Sequence, residues 1–415
     1  MIMDCAKYAG KCVCGKEHEL ETKMVVVEYG ALENFEKYME AAGLAGKRRT
    51  VVYDSVVYGI TEGKHVRADQ EIVLPAQGLR SEDILIEDMM TKLADPEVIV
   101  TVGAGTMMDF GRYPAYKLGI PFVAIPTLAS SDGFTARICS VIVDGQKKSI
   151  PMKAPELVVA DLDIIKGAPK RLIASGINDI LAKYVSLADW KIAALVSGED
   201  FCPVIYDLAK EALDIMRAAA DKYAATGEID HEAMTMAQMK SGLTMQLWVN
   251  SRAASGAEHL IAHLVEMHPP GFEKAEGIHG ECVGVGTFLC VKKYHELAKQ
   301  LPKAKSFEPL SEDWVREKFG EALYEGIVEE NRNDVLATFD PQVIVDNWEK
   351  IRAIIAEIPP AEELEELYKA VGAKYLPEHI GIDPSMTEEI LPVSAAIRNR
   401  LTLIRMLRVL DFQEK

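Results

Sequence analysis

The chain changes rhythm once, and that change limits its architecture more than any other feature. From Lys23 to Leu162, short runs rich in Val and Ile alternate with stretches of helical period. Beyond Pro169 the period is helical almost to the end. Strands are expected over 23–28, 49–54, 71–75, 97–102, 121–126 and 156–162, with helices over 32–42 and 81–93. Strands separated by helices pair in parallel, so the first half reads as an α/β layer. Residues 139–143 and 147–150, joined by Asp144-Gly145, read as a hairpin, because Asp-Gly suits a tight turn. Residues 171–195, 204–225, 361–371 and 394–409 read as helices. A chain of 415 residues exceeds one ordinary core. The expected boundary is near 168, with an α/β domain over 1–168 and an all-helical domain over 169–415.

Composition removes several classes of function. The formal charge is −18 and the isoelectric point about 5.1, which argues against a nucleic-acid partner, since that needs clustered Lys and Arg. One local basic pocket would still suit a small anion. No apolar run is long enough to span a bilayer, and the start of the sequence lacks the apolar core of a signal peptide, so no membrane insertion is expected. Seven scattered cysteines do not form a disulfide framework and suggest a reducing cytoplasm. Cys12, Cys14 and His18 tempt a metal reading. Their spacing matches no closed zinc pattern, which needs four ligands; Cys5 is the candidate fourth, and a plain strand or flexible segment is the reading favoured there. Cys282 and Cys290 read as core residues, and the Met-rich stretch 234–245 as helix packing.

Two polar loops follow neighbouring strands. The first, Gly103-Ala104-Gly105-Thr106-Met107-Met108-Asp109, leaves a buried strand and opens a helix. Glycine lets the backbone approach a phosphate, and a helix start offers unpaired N–H groups. Met108 occupies the third glycine's place of G-x-G-x-x-G, so a standard dinucleotide fingerprint is absent. The second, Thr127-Leu128-Ala129-Ser130-Ser131-Asp132-Gly133, sits past the next strand, where open α/β sheets bind ligands. Thr127 and Ser130 can donate to phosphate or amide groups, and Asp132 can accept from substrate hydroxyls. Asp54 ends an earlier strand. A carboxylate there suits an adenosine ribose hydroxyl and leans towards NAD over NADP, although it is equally ordinary turn chemistry.

The helical half carries the metal candidates. His259 and His263 stand one helical turn apart, and His279 follows. Asp179 lies upstream, at what reads as a helix start near Gly176. Imidazole and carboxylate ligands that leave a position open make a divalent ion a Lewis acid. H-E-x-x-H is absent, which removes the zincin-type proteases.

Taken in order, GAGTMMD, PTLASSDG, SGINDILAK, SRAASGAEHLIAH and HGECVGVGT resemble the iron-containing alcohol dehydrogenase and dehydroquinate synthase superfamily. Within it, the sn-glycerol-1-phosphate dehydrogenase family is the nearest resemblance, from about Val25 to Leu407. The resemblance implies an α/β N-terminal Rossmann-like domain plus an all-α C-terminal domain, dehydroquinate synthase-like. It implies NAD or NADP on Gly105–Asp109 and Thr127–Ser130, with Leu128 and Ala129 among the contacts. It implies one divalent metal, zinc before nickel or iron, on Asp179, His259 and His279. Asp132, Asp179 and His263 would face a phosphorylated triose, His263 relaying a proton. The implied reaction reduces dihydroxyacetone phosphate to sn-glycerol-1-phosphate, a precursor for phospholipid biosynthesis, in a cytoplasmic homo-oligomer. Ala104, Ala136 and Asn178 depart from the family pattern. Arg252 is a candidate for the substrate phosphate, with an ordinary domain-interface ion pair as its alternative; Lys183, one helical turn after Asp179, reads as a surface or interdomain lysine, with support of the substrate or of the charge behind the ligands as its alternative. Competing readings are a polyol dehydrogenase such as a glycerol dehydrogenase, and a cyclase of the dehydroquinate synthase kind (a lyase).

Overall fold

A computed structural model describes residues 1–143 and 146–413; the expected Asp144-Gly145 turn lies outside them. The chain divides into two compact units. The first holds Met1–Gly176, Asp214–Tyr223 and Gly227–Ser251, and the second Ile177–Leu213, Ala224–Thr226 and Arg252–Lys415. The contacts therefore do not part at a single cut near 168. The first change of unit falls after Gly176, and the first unit also takes residues from the helical half.

The first unit is built on a seven-stranded sheet. Its strands are β1 (Ile2–Asp4), β2 (Met24–Glu28), β3 (Arg49–Asp54), β4 (Gln70–Leu74), β5 (Val98–Gly103), β6 (Phe122–Pro126) and β7 (Leu157–Asp161). The spatial order is β1-β2-β7-β6-β5-β3-β4. All pairs are parallel except β1 with β2, which is antiparallel. Val25, Val26 and Val27 are all fully buried, as are Val98, Ile99 and Val100. Both faces are thus covered, which explains continuous apolar runs where a half-exposed strand would alternate. Val26, Val51, Val100, Val123 and Val159 form one such face, packed with Phe35 and Met39. Residues 138–143 and 146–151 pair as the expected antiparallel hairpin.

Helix α1 (Gly105–Leu118) follows β5 directly. Helix α2 (Lys170–Leu181) contains the change of unit. The expected helix over 171–195 forms as α2 and a second helix, Lys183–Ser197. Helix α3 (His231–Leu247), in the first unit, buries Met234, Met236, Met239 and Met245 as packing residues.

In the second unit, helices α4 (Ala257–Glu266) and α5 (His279–Leu297) pack tightly. A Cβ on Gly286 would collide with the carbonyl oxygen of Glu258, so glycine there sets the spacing of the two helices. Cys282 and Cys290 are fully buried, as core residues should be. One expectation fails. No continuous helix runs over 394–409: Thr387–Ser394 is helical, then only Leu403–Met406 and a 3-10 turn. The intervening carbonyls are taken by arginines. Arg405 donates to the Ala395 and Arg398 carbonyls at 2.6 and 2.9 Å, and Arg252 to that of Leu401 at 2.6 Å. Carbonyls committed this way are not available to an i→i−4 ladder. The edge strand Ile2–Asp4 and the pair Leu301–Ala304 with Leu410–Gln413 were not anticipated.

Candidate metal centre and cofactor loops

Three elements of the second unit bring the metal candidates together. Asp179 lies inside helix α2, fully buried, and not at a helix start. His259 is on the first turn of α4 and His279 opens α5. His259 Nε2 stands 3.4 Å from Asp179 Oδ1, and His279 Nε2 stands 3.8 Å from the same oxygen. The three ligand atoms all lie within 4.8 Å of one another. His263 is one turn along α4, its ring 6.4 Å from those of both His259 and His279.

The far side of each ring decides whether an ion fits. His259 Nδ1 meets Glu258 Oε1 at 2.8 Å, and His279 Nδ1 meets Glu266 Oε1 at 2.7 Å. A carboxylate accepts the Nδ1 proton, fixes the tautomer and leaves the Nε2 lone pair aimed inward. Glu258 is itself held, because Oε1 also accepts from the Gly256 N–H at 2.7 Å. Burial would push the Asp179 carboxyl upwards, but Lys183, His259 and His279 outweigh it and hold it well below the usual carboxylate range. Burial would likewise lower His259, but hydrogen bonds to Asp179 and Glu258 raise it to about 9. A divalent ion entering here displaces the proton so held on His259, and an anionic oxygen with two oriented imidazoles is then a donor set suited to zinc, nickel or iron.

Two basic residues take the second of the places open to them. Lys183 is fully buried, and its ammonium donates to the Asp179 carbonyl at 2.8 Å. Arg252 is also buried, with Nε 2.8 Å from Glu199 Oε1 and Nη2 on backbone carbonyls. The structure thus makes Arg252 an interior ion pair, and not a phosphate partner. Asn178 donates to the Lys374 carbonyl at 2.9 Å. Glu258 and Glu266 were missed as site residues. The signal available was an acid beside one histidine and another on the same helix.

The nucleotide candidates gather at the carboxyl ends of β3, β5 and β6 in the first unit. Gly103 closes β5, and its carbonyl accepts from the Thr127 N–H at 3.1 Å, which ties the two loops together. A Cβ on Gly103 would lie 2.5 Å from Met107 Cγ, so only glycine fits. The first N–H groups of α1, at Gly105, Thr106 and Met107, have no intrahelical acceptor. They and the dipole end make a phosphate cradle, and no acidic residue enters this first turn. Gly105 and Thr106 are half-buried, whereas the Met107 and Met108 side chains are buried and can offer only backbone. Asp109 turns into the unit, bonded to Arg112 Nη1 at 2.8 Å, and burial raises its carboxyl despite that charge. Its side chain is thereby structural. Thr127 is buried, while Leu128, Ala129 and Ser130 are half-buried. Asp132 is buried and accepts from the Ser241 hydroxyl at 2.7 Å. Asp54 caps the next helix, accepting from the Val56 and Val57 N–H groups at 2.9 and 2.8 Å. That is the turn chemistry weighed against ribose binding.

A sequence profile of the iron-containing alcohol dehydrogenase family matches residues 26–169. A glycerol-1-phosphate dehydrogenase (NAD(P)+) of Geobacillus stearothermophilus is 30% identical over 417 residues, covering 98% of this chain and 97% of the relative. A protein of the same name from Sulfurisphaera tokodaii is 31% identical, covering 70% and 82%. Among solved structures, a probable glycerol dehydrogenase from Sinorhizobium meliloti superposes with a TM-score of 0.61 at 17% identity, covering 92% of this chain and 94% of that one. A maleylacetate reductase from Agrobacterium tumefaciens gives 0.59 at 14% identity, covering 94% and 95%. At such identities these two likenesses establish the fold alone, an α/β unit of Rossmann type joined to a helical one. Together with the full-length relatives, they lead to one conclusion: the chain belongs to the glycerol-1-phosphate dehydrogenase family, on the fold of the iron-containing alcohol dehydrogenases.

Proposed function

We propose that this protein is a metal-dependent sn-glycerol-1-phosphate dehydrogenase, reversibly reducing dihydroxyacetone phosphate with NADH or NADPH. The observation that carries this reading is the Asp179–His259–His279 cluster, each imidazole oriented by its own carboxylate. It sits in a chain aligned end to end with relatives of that name. A divalent ion on these residues would supply Lewis acidity towards a substrate oxygen. Asp179 carries the negative charge of the set and the two imidazoles are neutral donors, so the ion's charge is only partly cancelled. His263 stands beside both ligands on the α4 face, where an imidazole can relay a proton from water to the oxygen being reduced, and back in the reverse reaction. Gly105, Thr106 and Met107 would bind the cofactor pyrophosphate through backbone N–H groups. Thr127 to Ser130 would line the same cofactor, Asp54 would reach its ribose and Asp132 would accept from a substrate hydroxyl.

No helix among the described residues is long and apolar enough to cross a membrane. A cytoplasmic homo-oligomer is the setting we propose, since symmetric assembly is the common state of such enzymes. The test is NADH oxidation by the zinc-loaded protein, with dihydroxyacetone phosphate and dihydroxyacetone side by side. The expected result is much faster turnover of the phosphate ester, with the sn-1 product, and loss of both metal and turnover in His259→Ala. Preference for the unphosphorylated ketone would make it a glycerol dehydrogenase. A His259→Ala protein with full metal content and unchanged rate would overturn the metal assignment.

A further inference from the structure

Cys12, Cys14 and His18 belong to neither the metal centre nor the cofactor loops, yet the fold of the first unit brings them together. Gly10–Lys11 and Glu17–His18 pair as a two-residue antiparallel ladder. Inside it, the Cys12 N–H donates to the Lys16 carbonyl at 2.9 Å, and the Gly15 N–H to the Cys12 carbonyl at 3.0 Å. Gly15 takes φ +84°, which an L side chain rarely adopts, and this tight turn folds both thiols towards the histidine. The ligand atoms of Cys12, Cys14 and His18 lie within 4.8 Å of one another, with Cys14 Sγ 3.3 Å from His18 Nε2. Zinc bonds of roughly 2.3 Å to sulfur and 2.0 Å to nitrogen, at tetrahedral angles, place such donors about 3.5 Å apart.

The histidine is prepared for ligation. His18 is buried, and its Nδ1 donates to the Leu247 carbonyl at 2.9 Å. A carbonyl can only accept, so the proton sits on Nδ1 and the Nε2 lone pair faces the thiols. Stability points the same way. A two-residue ladder is too short to hold a hairpin, and its tip is wet, with Val13 83% exposed. Cys5 is not the missing partner: its thiol points to the Met3 carbonyl at 3.7 Å.

We propose that Cys12, Cys14 and His18 bind a structural zinc ion, distinct from the Asp179–His259–His279 centre, that staples this hairpin to the carboxyl end of α3. Thiolate sulfur selects zinc over the harder ions that a carboxylate–imidazole set accepts, so the two centres differ in kind. Closed structural zinc takes four ligands, and the fourth is a further cysteine or water.

The test uses the full chain grown with zinc and then exchanged with cobalt(II). The cobalt protein should show the near-ultraviolet thiolate charge-transfer band and strong visible bands of a tetrahedral site. These should persist in His259→Ala, whose own centre has no sulfur, and vanish in Cys12→Ser/Cys14→Ser. Bound metal should fall by about one equivalent per chain in the double variant. In the wild type, a chelator should expose two further thiols to a thiol reagent, or three when the fourth ligand is sulfur. A Cys→Ser scan of the other five cysteines then identifies that ligand. Wild-type protein lacking the thiolate–cobalt band, or holding Cys12 and Cys14 as a disulfide in reducing buffer, would overturn the proposal. So would a double variant with unchanged metal content. The wild-type spectrum decides the matter even if the variant fails to fold.

Discussion

Each imidazole of the metal centre depends on a glutamate that never touches the ion. Glu258 holds His259, and Glu266 holds His279, both through Nδ1. Exchanging either acid for its amide keeps the shape, but the amide side chain can present N–H where the ring needs an acceptor. Glu258→Gln and Glu266→Gln should each weaken metal binding by roughly 10–100-fold, read by competition with a chromogenic chelator. Equal affinity in both variants would show that the glutamates are only packing neighbours. The histidine spacing was readable from the sequence, because i and i+4 fall on one helix face whatever surrounds them. Glu258 stands beside His259 in the sequence, whereas the pairing of Glu266 with His279 is not readable, since it crosses a loop whose path the local sequence does not encode. Arg252 and Lys183 stay open between two readings in the sequence for a related reason. Charge in a sequence suggests water or ligand, whereas here buried carbonyls and Glu199 receive it.

At the scale of elements, glycine separates packing from propensity. Gly286 lies where a methyl group would strike the Glu258 carbonyl, so Gly286→Ala must push α4 from α5. The expected cost is about 1–3 kcal/mol in denaturant melts, with weaker metal retention because His259 and His279 ride on those two helices. Gly59 lies in the helix Ser55–Ile60 with no atom within 4 Å of the added methyl. Gly59→Ala should therefore be neutral or stabilise by up to about 1 kcal/mol. Destabilisation by both variants alike would mean that helix spacing is not what Gly286 sets. The strands were legible because buried β-branched runs bounded by turn residues have few alternatives; β3 spans 49–54, as expected. The apolar period over 394–409 is real, but Arg405 from within the stretch and Arg252 from far outside it claim its carbonyls, so the expected helix does not form.

At the scale of the molecule, one buried ion cluster and one feature of chain connectivity matter. Arg405 is fully buried and meets Asp334 Oδ2 at 2.8 Å, with Arg408 on the same oxygen at 2.5 Å. Burial acts to raise the Asp334 carboxyl, but Arg405 and the hydrogen bonds win and lower it. A depressed carboxyl gives stability that is present above its unfolded pKa and lost as pH falls through its folded one. Acid titration should therefore destabilise the second unit below the ordinary carboxylate range. Arg405→Ala should cost about 1–3 kcal/mol near neutral pH, because it leaves the buried Ala395 and Arg398 carbonyls without their donor while Asp334 keeps Arg408. A melting profile with the same acid dependence in Asp334→Asn as in wild type would contradict this. The connectivity has a different outcome. Within the first unit, Gly242 lies against the Asp132 turn, and Gln246 donates to the Thr22 hydroxyl and the Thr135 carbonyl. Those contacts come from residues translated long after the last strand of the sheet. On the ribosome, the sheet is complete once Asp161 has emerged, but its unit cannot close until Ser251 is out. Over that interval the nascent chain carries a finished sheet with an open flank, and that is where a chaperone would find its client.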